Sequence, residues 1–232
     1  LALVSSPGFD PNLLSSHDLS AQSAAWQQLR DDPNSPLTNR AISERYPPGS
    51  TFKVITTAAA LAGGTTPDTQ LTSASRIMLP DSSATLENYG GSACGPGPTV
   101  SLREAFAKSC NTAFVELGLH TGADALRATA RQFGLDEAPP SIPLQVAGST
   151  VGPISDAAAL GMSSIGQKDV AVTPLQNAMV AATIANGGEL LQPRLVKEIR
   201  TPDGQEVIKE FGKNIWNWIA TKWTNFTNWV KS

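Results

Sequence analysis

Tyr46-Pro47-Pro48-Gly49 runs directly into Ser50-Thr51-Phe52-Lys53-Val54-Ile55-Thr56-Thr57-Ala58-Ala59-Ala60, and this junction constrains the fold more than any other stretch. Two prolines and a glycine stop regular structure before Ser50. They deliver the chain into an apolar helix. A central helix over Ser50 to Ala62 is therefore predicted, with Ser50 in its first turn. The unpaired N–H groups and the positive end of the helix dipole gather there. Lys53 lies three residues on, so hydroxyl and amine share one helix face. A lysine that is partly desolvated moves toward neutrality and can take a proton from the serine. On its own, the S-x-x-K pair also reads as a serine N-cap beside a solvent-facing lysine.

A second polar cluster raises the chemical reading. Lys108-Ser109-Cys110-Asn111-Thr112-Ala113-Phe114 sets an S-x-N triplet between two helical runs, where a hydroxyl and a carboxamide can converge on a cleft. Serine, lysine and then S-x-N, about sixty residues apart, is the order found in penicillin-binding proteins and serine β-lactamases. The chain resembles the transpeptidase domain of class B penicillin-binding proteins, in particular its actinobacterial cell-division branch. The likeness runs from Leu1 to about Val207. It includes the entering segment Leu1 to Pro7, Asn39-Arg40-Ala41 ahead of the first motif, Gly166-Gln167 after Ser163-Ser164-Ile165, and Thr173-Pro174-Leu175-Gln176-Asn177 opening a helix that ends at Asn186-Gly187-Gly188. The resemblance implies that Ser50 is a nucleophile toward a D-Ala-D-Ala carbonyl or a β-lactam, and that Lys53 is its base. Ser109 and Asn111 would relay protons and hold the substrate amide. It also implies an extracytoplasmic, membrane-anchored parent and no cofactor.

The same family continues into a K-[ST]-G strand that lines the opposite wall and contributes to the oxyanion site. No such triplet occurs in these 232 residues. The expected architecture is accordingly mostly α with residual β, the helical part of a penicillin-binding or β-lactamase-like fold lacking its C-terminal strands. An inactive or weakly active site is expected with it.

Composition changes abruptly near the C-terminus. Trp216, Trp218, Trp223 and Trp229 are four of the five tryptophans, the other being Trp26. Spaced at 100° per residue, Phe211, Ile215, Trp218, Ile219, Phe226, Trp229 and Val230 share one helix face, opposite Lys213, Asn214, Asn217, Thr221, Thr224, Asn225 and Asn228. Trp223 to Val230 also resembles the W-F-N-I-T-N-W-L segment of the membrane-proximal region of lentiviral envelope glycoproteins. Trp223, Asn225, Thr227, Asn228 and Trp229 match, and Trp216-Asn217-Trp218 repeats the W-N-W ahead of it. Thr224, Phe226 and Val230 depart from it. Two segments are therefore expected, a transpeptidase-like domain over 1–207 and a grafted amphipathic helix over 208–232. Three functions compete: an engineered scaffold displaying a viral helix to an antibody, a peptidoglycan D,D-transpeptidase, and an interfacial helix anchoring a binding domain to lipid headgroups. The first is the preferred reading from sequence, with Trp216, Asn217, Trp218, Trp223, Asn225, Thr227, Asn228 and Trp229 as epitope residues.

The two cysteines, Cys94 and Cys110, lie 16 positions apart, the second inside the S-x-N triplet. A bridge closing that loop stabilises by about 3 kcal/mol in the chain-entropy model and braces Ser109 and Asn111. Two free thiols, with Cys110 buried, is the alternative. A net charge of −3 and a pI near 5.4 exclude the basic footprint of a nucleic-acid binder. With 41% hydrophobic residues and a mean hydropathy of −0.12, the chain has a globular composition. Its apolar runs are too short to span a bilayer, and neither a spanning segment nor a leader ahead of Leu1 is expected. His17 and His120 lack partners for a metal site, so none is expected. Glu44, Glu87 and Glu104 read as surface carboxylates rather than as a general base.

Further elements are expected as a strand over Leu1 to Ser6 and helices over Ala21–Leu29, Ser101–Ala107, Thr112–Leu119, Ala123–Phe133 and Ser155–Met162. A helix opening at Thr173-Pro174 and a hairpin of Leu191–Arg200 with Gln205–Ile208 complete the layout.

Overall fold

The computed structural model describes residues 3–196, 199–201 and 206–208. Of the proposed C-terminal helix over 208–232 only Ile208 is described, as the last residue of a strand, and every residue of the proposed epitope lies outside the described residues. The chain divides into two compact units, one of residues 1–139 with 145–190 and the other of 140–144 with 191–232.

The first unit is built around helix α3 (Lys53–Ala62), entered through a 3₁₀ turn over Gly49–Phe52. Its β-branched run Val54-Ile55-Thr56-Thr57 is a poor intrinsic helix former, and burial overrides that preference. Ile55 and Ala59 pack into one apolar cluster with Phe52, Leu126, Leu135, Val151 and Val172, while Ala60 belongs to a second cluster with Leu71, Val100, Leu102, Phe114 and Leu117. The central helix thus contributes to both cores.

Helices α4 (Leu102–Ala107) and α5 (Asn111–Thr121) form the expected pair, followed by α6 (Ala123–Gln132) and α7 (Ala157–Ser164). Ser101 caps α4 by accepting from the Glu104 N–H at 3.2 Å. Helices α5 and α7 cross at small residues: a Cβ on Gly118 would lie 1.8 Å from Ser164 Oγ, and one on Gly161 would lie 2.8 Å from Val115 Cγ1. Only Gly permits so close a backbone approach there. Helix α8 (Pro174–Ala185) has Thr173 as N-cap and proline in its first turn, and Gly187 and Gly188 follow with φ of 69° and 94°.

The β structure is scant and local. Strand β1 (Gln70–Thr72) pairs antiparallel with β4 (Thr99–Ser101), Leu71 opposite Val100, and β2 (Arg76–Met78) pairs with β3 (Thr85–Glu87). The early helix α1 (Leu19–Asp31) is longer than expected because Asp18 caps it, accepting from the Ser20 and Ala21 N–H groups. A four-residue turn of helix, α2 (Arg40–Ser43), was not visible in the sequence.

Two expectations need correction. The entering segment is not a strand over the described residues 3–6; Ser5 Oγ instead donates to Thr38 O and accepts from the Arg40 N–H, and among the described residues no strand pairs with it. In the second unit the hairpin is much shorter than predicted: β5 (Ile199–Arg200) pairs with β6 (Glu206–Ile208), and residues 191–196 are not extended into it.

Candidate active site

Ser50 lies on the exposed 3₁₀ turn and Lys53 opens α3, 2% exposed. The turn is anchored from behind. Gly49 N–H donates to Gly166 O at 2.9 Å, and Tyr46 and Val172 exchange two backbone bonds of 2.9 Å. Thr56 Oγ1, on the buried face of α3, donates to Ser164 O at 2.8 Å. Thr51 Oγ1 donates to Pro48 O at 2.8 Å and stands 3.1 Å from Asn177 Oδ1 on α8. Ser163 to Gln167 therefore forms a platform under the nucleophile turn.

The S-x-N triplet arrives from the other side. Ser109 has a φ of 57°, a left-handed conformation between α4 and α5. That turn aims both its carbonyl and its hydroxyl at Lys53. Lys53 Nζ donates to Ser109 O at 2.7 Å and to Asn111 Oδ1 at 2.8 Å, and lies 3.0 Å from Ser109 Oγ. It also stands 5.4 Å from the centre of the Phe114 ring. Burial pushes the Lys53 amine down to about 8 from its ordinary 10.5. Among the described residues no carboxylate pairs with it.

These contacts dictate what the amine can do. Ser109 O and Asn111 Oδ1 are acceptors only, whereas Ser109 Oγ can give or receive. Protonated Lys53 fills all three. A neutral amine has two protons, which the two obligatory acceptors take, and its lone pair is then left for a hydroxyl proton. The arrangement holds an amine of lowered basicity, three residues after Ser50, against Ser109. Ser50 Oγ makes no hydrogen bond among the described residues and stands exposed on the turn that Lys53 follows.

Cys94 and Cys110 are joined by a disulfide, both buried, with Cα atoms 6.0 Å apart. The S-x-N loop is further held where Lys108 Nζ donates to Cys94 O at 2.8 Å and Asn111 Nδ2 donates to Glu87 O at 3.0 Å. Sequence reading missed the contribution of Glu87: its side chain pairs with Arg76 on the surface, and its carbonyl oxygen serves the site. Glu44 pairs with Arg40 at 3.5 Å and Glu104 with Lys108 at 2.6 Å, both at the surface. Neither reaches Lys53. No cluster of three potential metal ligands occurs among the described residues.

The family model for the penicillin-binding protein transpeptidase domain matches residues 1–222, past the point where the sequence reading placed the foreign segment. The peptidoglycan D,D-transpeptidase PbpA of Mycolicibacterium smegmatis is 73% identical over 203 residues, which are 88% of this chain and 41% of that protein. The PbpA of Mycobacterium tuberculosis is 70% identical over the same span. Among solved structures, the ceftriaxone acyl-enzyme complex of penicillin-binding protein A from M. tuberculosis superposes with a TM-score of 0.85 at 68% identity, covering 90% of this chain and 47% of that one. The chain thus spans less than half the length of these relatives. With a fold, a motif order and a sequence match that agree over most of its length, the chain belongs to the penicillin-binding protein transpeptidase family.

Proposed function

We propose that this chain carries the nucleophile, base and S-x-N face of a peptidoglycan D,D-transpeptidase that works outside the cytoplasm and is acylated by β-lactams at Ser50. The observation that carries it is the buried Lys53 amine, gripped by Ser109 and Asn111 one turn from an exposed Ser50. Ser50 Oγ attacks the carbonyl carbon of a D-Ala-D-Ala amide or a lactam as Lys53 takes its proton. The Oγ–C bond forms, the C–N bond breaks, and the proton reaches the departing nitrogen through Ser109. The acyl-enzyme complexes of the M. tuberculosis relative with ceftriaxone, imipenem and penicillin G support this reading.

The oxyanion wall supplied elsewhere in the family by K-[ST]-G has no counterpart in these 232 residues. One missing donor costs about 10²–10³ in rate. Acylation of these 232 residues by themselves is therefore expected to be slower by about that factor than in a chain that carries the triplet. Intact-mass spectrometry after incubation with penicillin G tests this. The expected result is a slow adduct that maps to Ser50 and is lost in Ser50→Ala and Lys53→Met. No adduct after a day overturns the reading, and labelling as fast as in a chain that carries the triplet overturns the stated cost.

A second reading concerns residues 208–232 alone and rests on their four tryptophans and the five matches to the viral segment. There the tail is a grafted helix recognised by an antibody through Trp223 and its neighbours, the frame serving only as support. Binding energy at such interfaces concentrates in a few aromatic anchors. Trp223→Ala is then expected to abolish recognition by an antibody raised against the viral region. Absence of binding in the parent chain removes this reading and leaves the headgroup-binding helix to be tested with anionic vesicles.

A further inference from the structure

Helix α5 carries the S-x-N asparagine as its first residue, yet its own N-cap is chemically silent. Cys110 occupies that position and offers no side-chain hydrogen bond, its sulfur being committed to Cys94. The first N–H groups of a helix need acceptors when they are buried, and Thr112 is fully buried. The acceptor comes from 24 residues upstream: Asn88 Oδ1 receives the Thr112 N–H at 3.1 Å and lies 3.3 Å from Thr112 Oγ1. Asn88 itself is 8% exposed, and its Nδ2 donates to Ala74 O at 2.9 Å and Ser92 O at 3.0 Å. Those two carbonyls fix the orientation of the carboxamide, because a flipped amide would set its NH2 against the Thr112 N–H.

The preceding residue completes the arrangement. Glu87 O receives Asn111 Nδ2, so the dipeptide Glu87-Asn88 holds two consecutive residues of α5, one by its side chain and the next by its backbone. With its amide nitrogen on Glu87, Asn111 can present only Oδ1 to Lys53. We propose that Asn88 is a positioning residue for the S-x-N motif: it caps α5 from outside the helix and thereby keeps Ser109 and Asn111 closed over the Lys53 amine. Loss of that cap frees the first turn of α5, admits water to the amine and leaves Lys53 more strongly basic. The groups facing the amine are Ser109, Asn111 and the Phe114 ring, none of which titrates in the neutral range.

This inference deepens the acylation reading, and only the rate arm of its test rests on it. The Lys53 Cε–Hε signal of the full chain is titrated by ¹³C NMR in wild type and Asn88→Ala, beside penicillin labelling from pH 6 to 10. The expected result is a Lys53 midpoint raised by about one unit in the variant, which lowers the neutral fraction at pH 7 about tenfold. Labelling at pH 7 should fall by the same factor and recover above the new midpoint. A purely structural role would lower the melting temperature and leave both the midpoint and the shape of the pH profile in place, and that outcome overturns the proposal. If Asn88→Ala does not fold, Asn88→Leu, which keeps the buried volume and removes the cap, is read by the same titration. If the wild-type chain takes no label, the acylation reading fails while the NMR arm still decides the role of Asn88.

Discussion

Gly166 lies so close to Gly49 that a Cβ on it would stand 2.2 Å from the Gly49 carbonyl oxygen and 2.8 Å from Phe52 Cβ. The obstacle is backbone, which cannot swing aside, and Gly166 also has a φ of 71°. Gly166→Ala is expected to cost about 3 kcal/mol or more, combining overpacking with a left-handed alanine. Because Gly166 O receives the Gly49 N–H, the turn bearing Ser50 should move with it. Urea denaturation alongside penicillin labelling checks this; a variant within 0.5 kcal/mol of wild type contradicts the close approach.

The crossing of α5 and α7 makes a paired prediction. Gly118→Ala sets a methyl against Ser164 Oγ and should destabilise by about 1–3 kcal/mol. Adding Ser164→Gly removes the obstructing side chain. A double-mutant cycle should then show a favourable coupling of at least about 1 kcal/mol, and strict additivity would mean that the helices do not meet at these residues.

Lys53 gives a pH dependence in both rate and stability. As a base it must be neutral, so labelling should rise with pH and reach half its plateau near 8. For stability the sign follows from its lowered basicity. The unfolded chain binds the proton more tightly than the folded one between about 8 and 10.5, so the fold gains stability as pH rises through that window. Below it a penalty of about 3 kcal/mol is fully present. Urea midpoints of wild type, referenced to Lys53→Met at each pH, should climb from pH 8 to 10. A flat difference would mean that the amine is not desolvated.

The Cys94–Cys110 bridge predicts no reactive thiol under denaturing, non-reducing conditions. Reduction of this 16-residue loop should lower stability by about 3 kcal/mol. Two titratable thiols in air-exposed protein would contradict it.

The sequence made some of this legible and hid the rest for identifiable reasons. Thr173-Pro174 and Gly187-Gly188 bracket α8 almost to the residue, because caps are local chemistry. Lys53, Ser109 and Asn111 were legible because their order and residue types follow the family's motifs. Strands β1 and β4 were not, being three residues each with partners about thirty positions away, too short for alternation to register. Nor were Asn88, the Glu87 carbonyl or Gly166, whose roles exist only once distant segments meet. Ser5 misled for the opposite reason: its segment has the composition of a strand, but its hydroxyl ties it to Thr38 and Arg40.

Helix α3 belongs to both apolar clusters, and Lys53 is its first residue. Local fluctuations therefore have little room to expose Lys53, since uncovering α3 means opening both cores together. Amides from Thr56 to Ala60 should exchange with deuterium only through global unfolding, at the slowest rate in the molecule. Chains caught part-way through folding would lack the buried amine, so under the proposed acylation a β-lactam would label the finished fold alone.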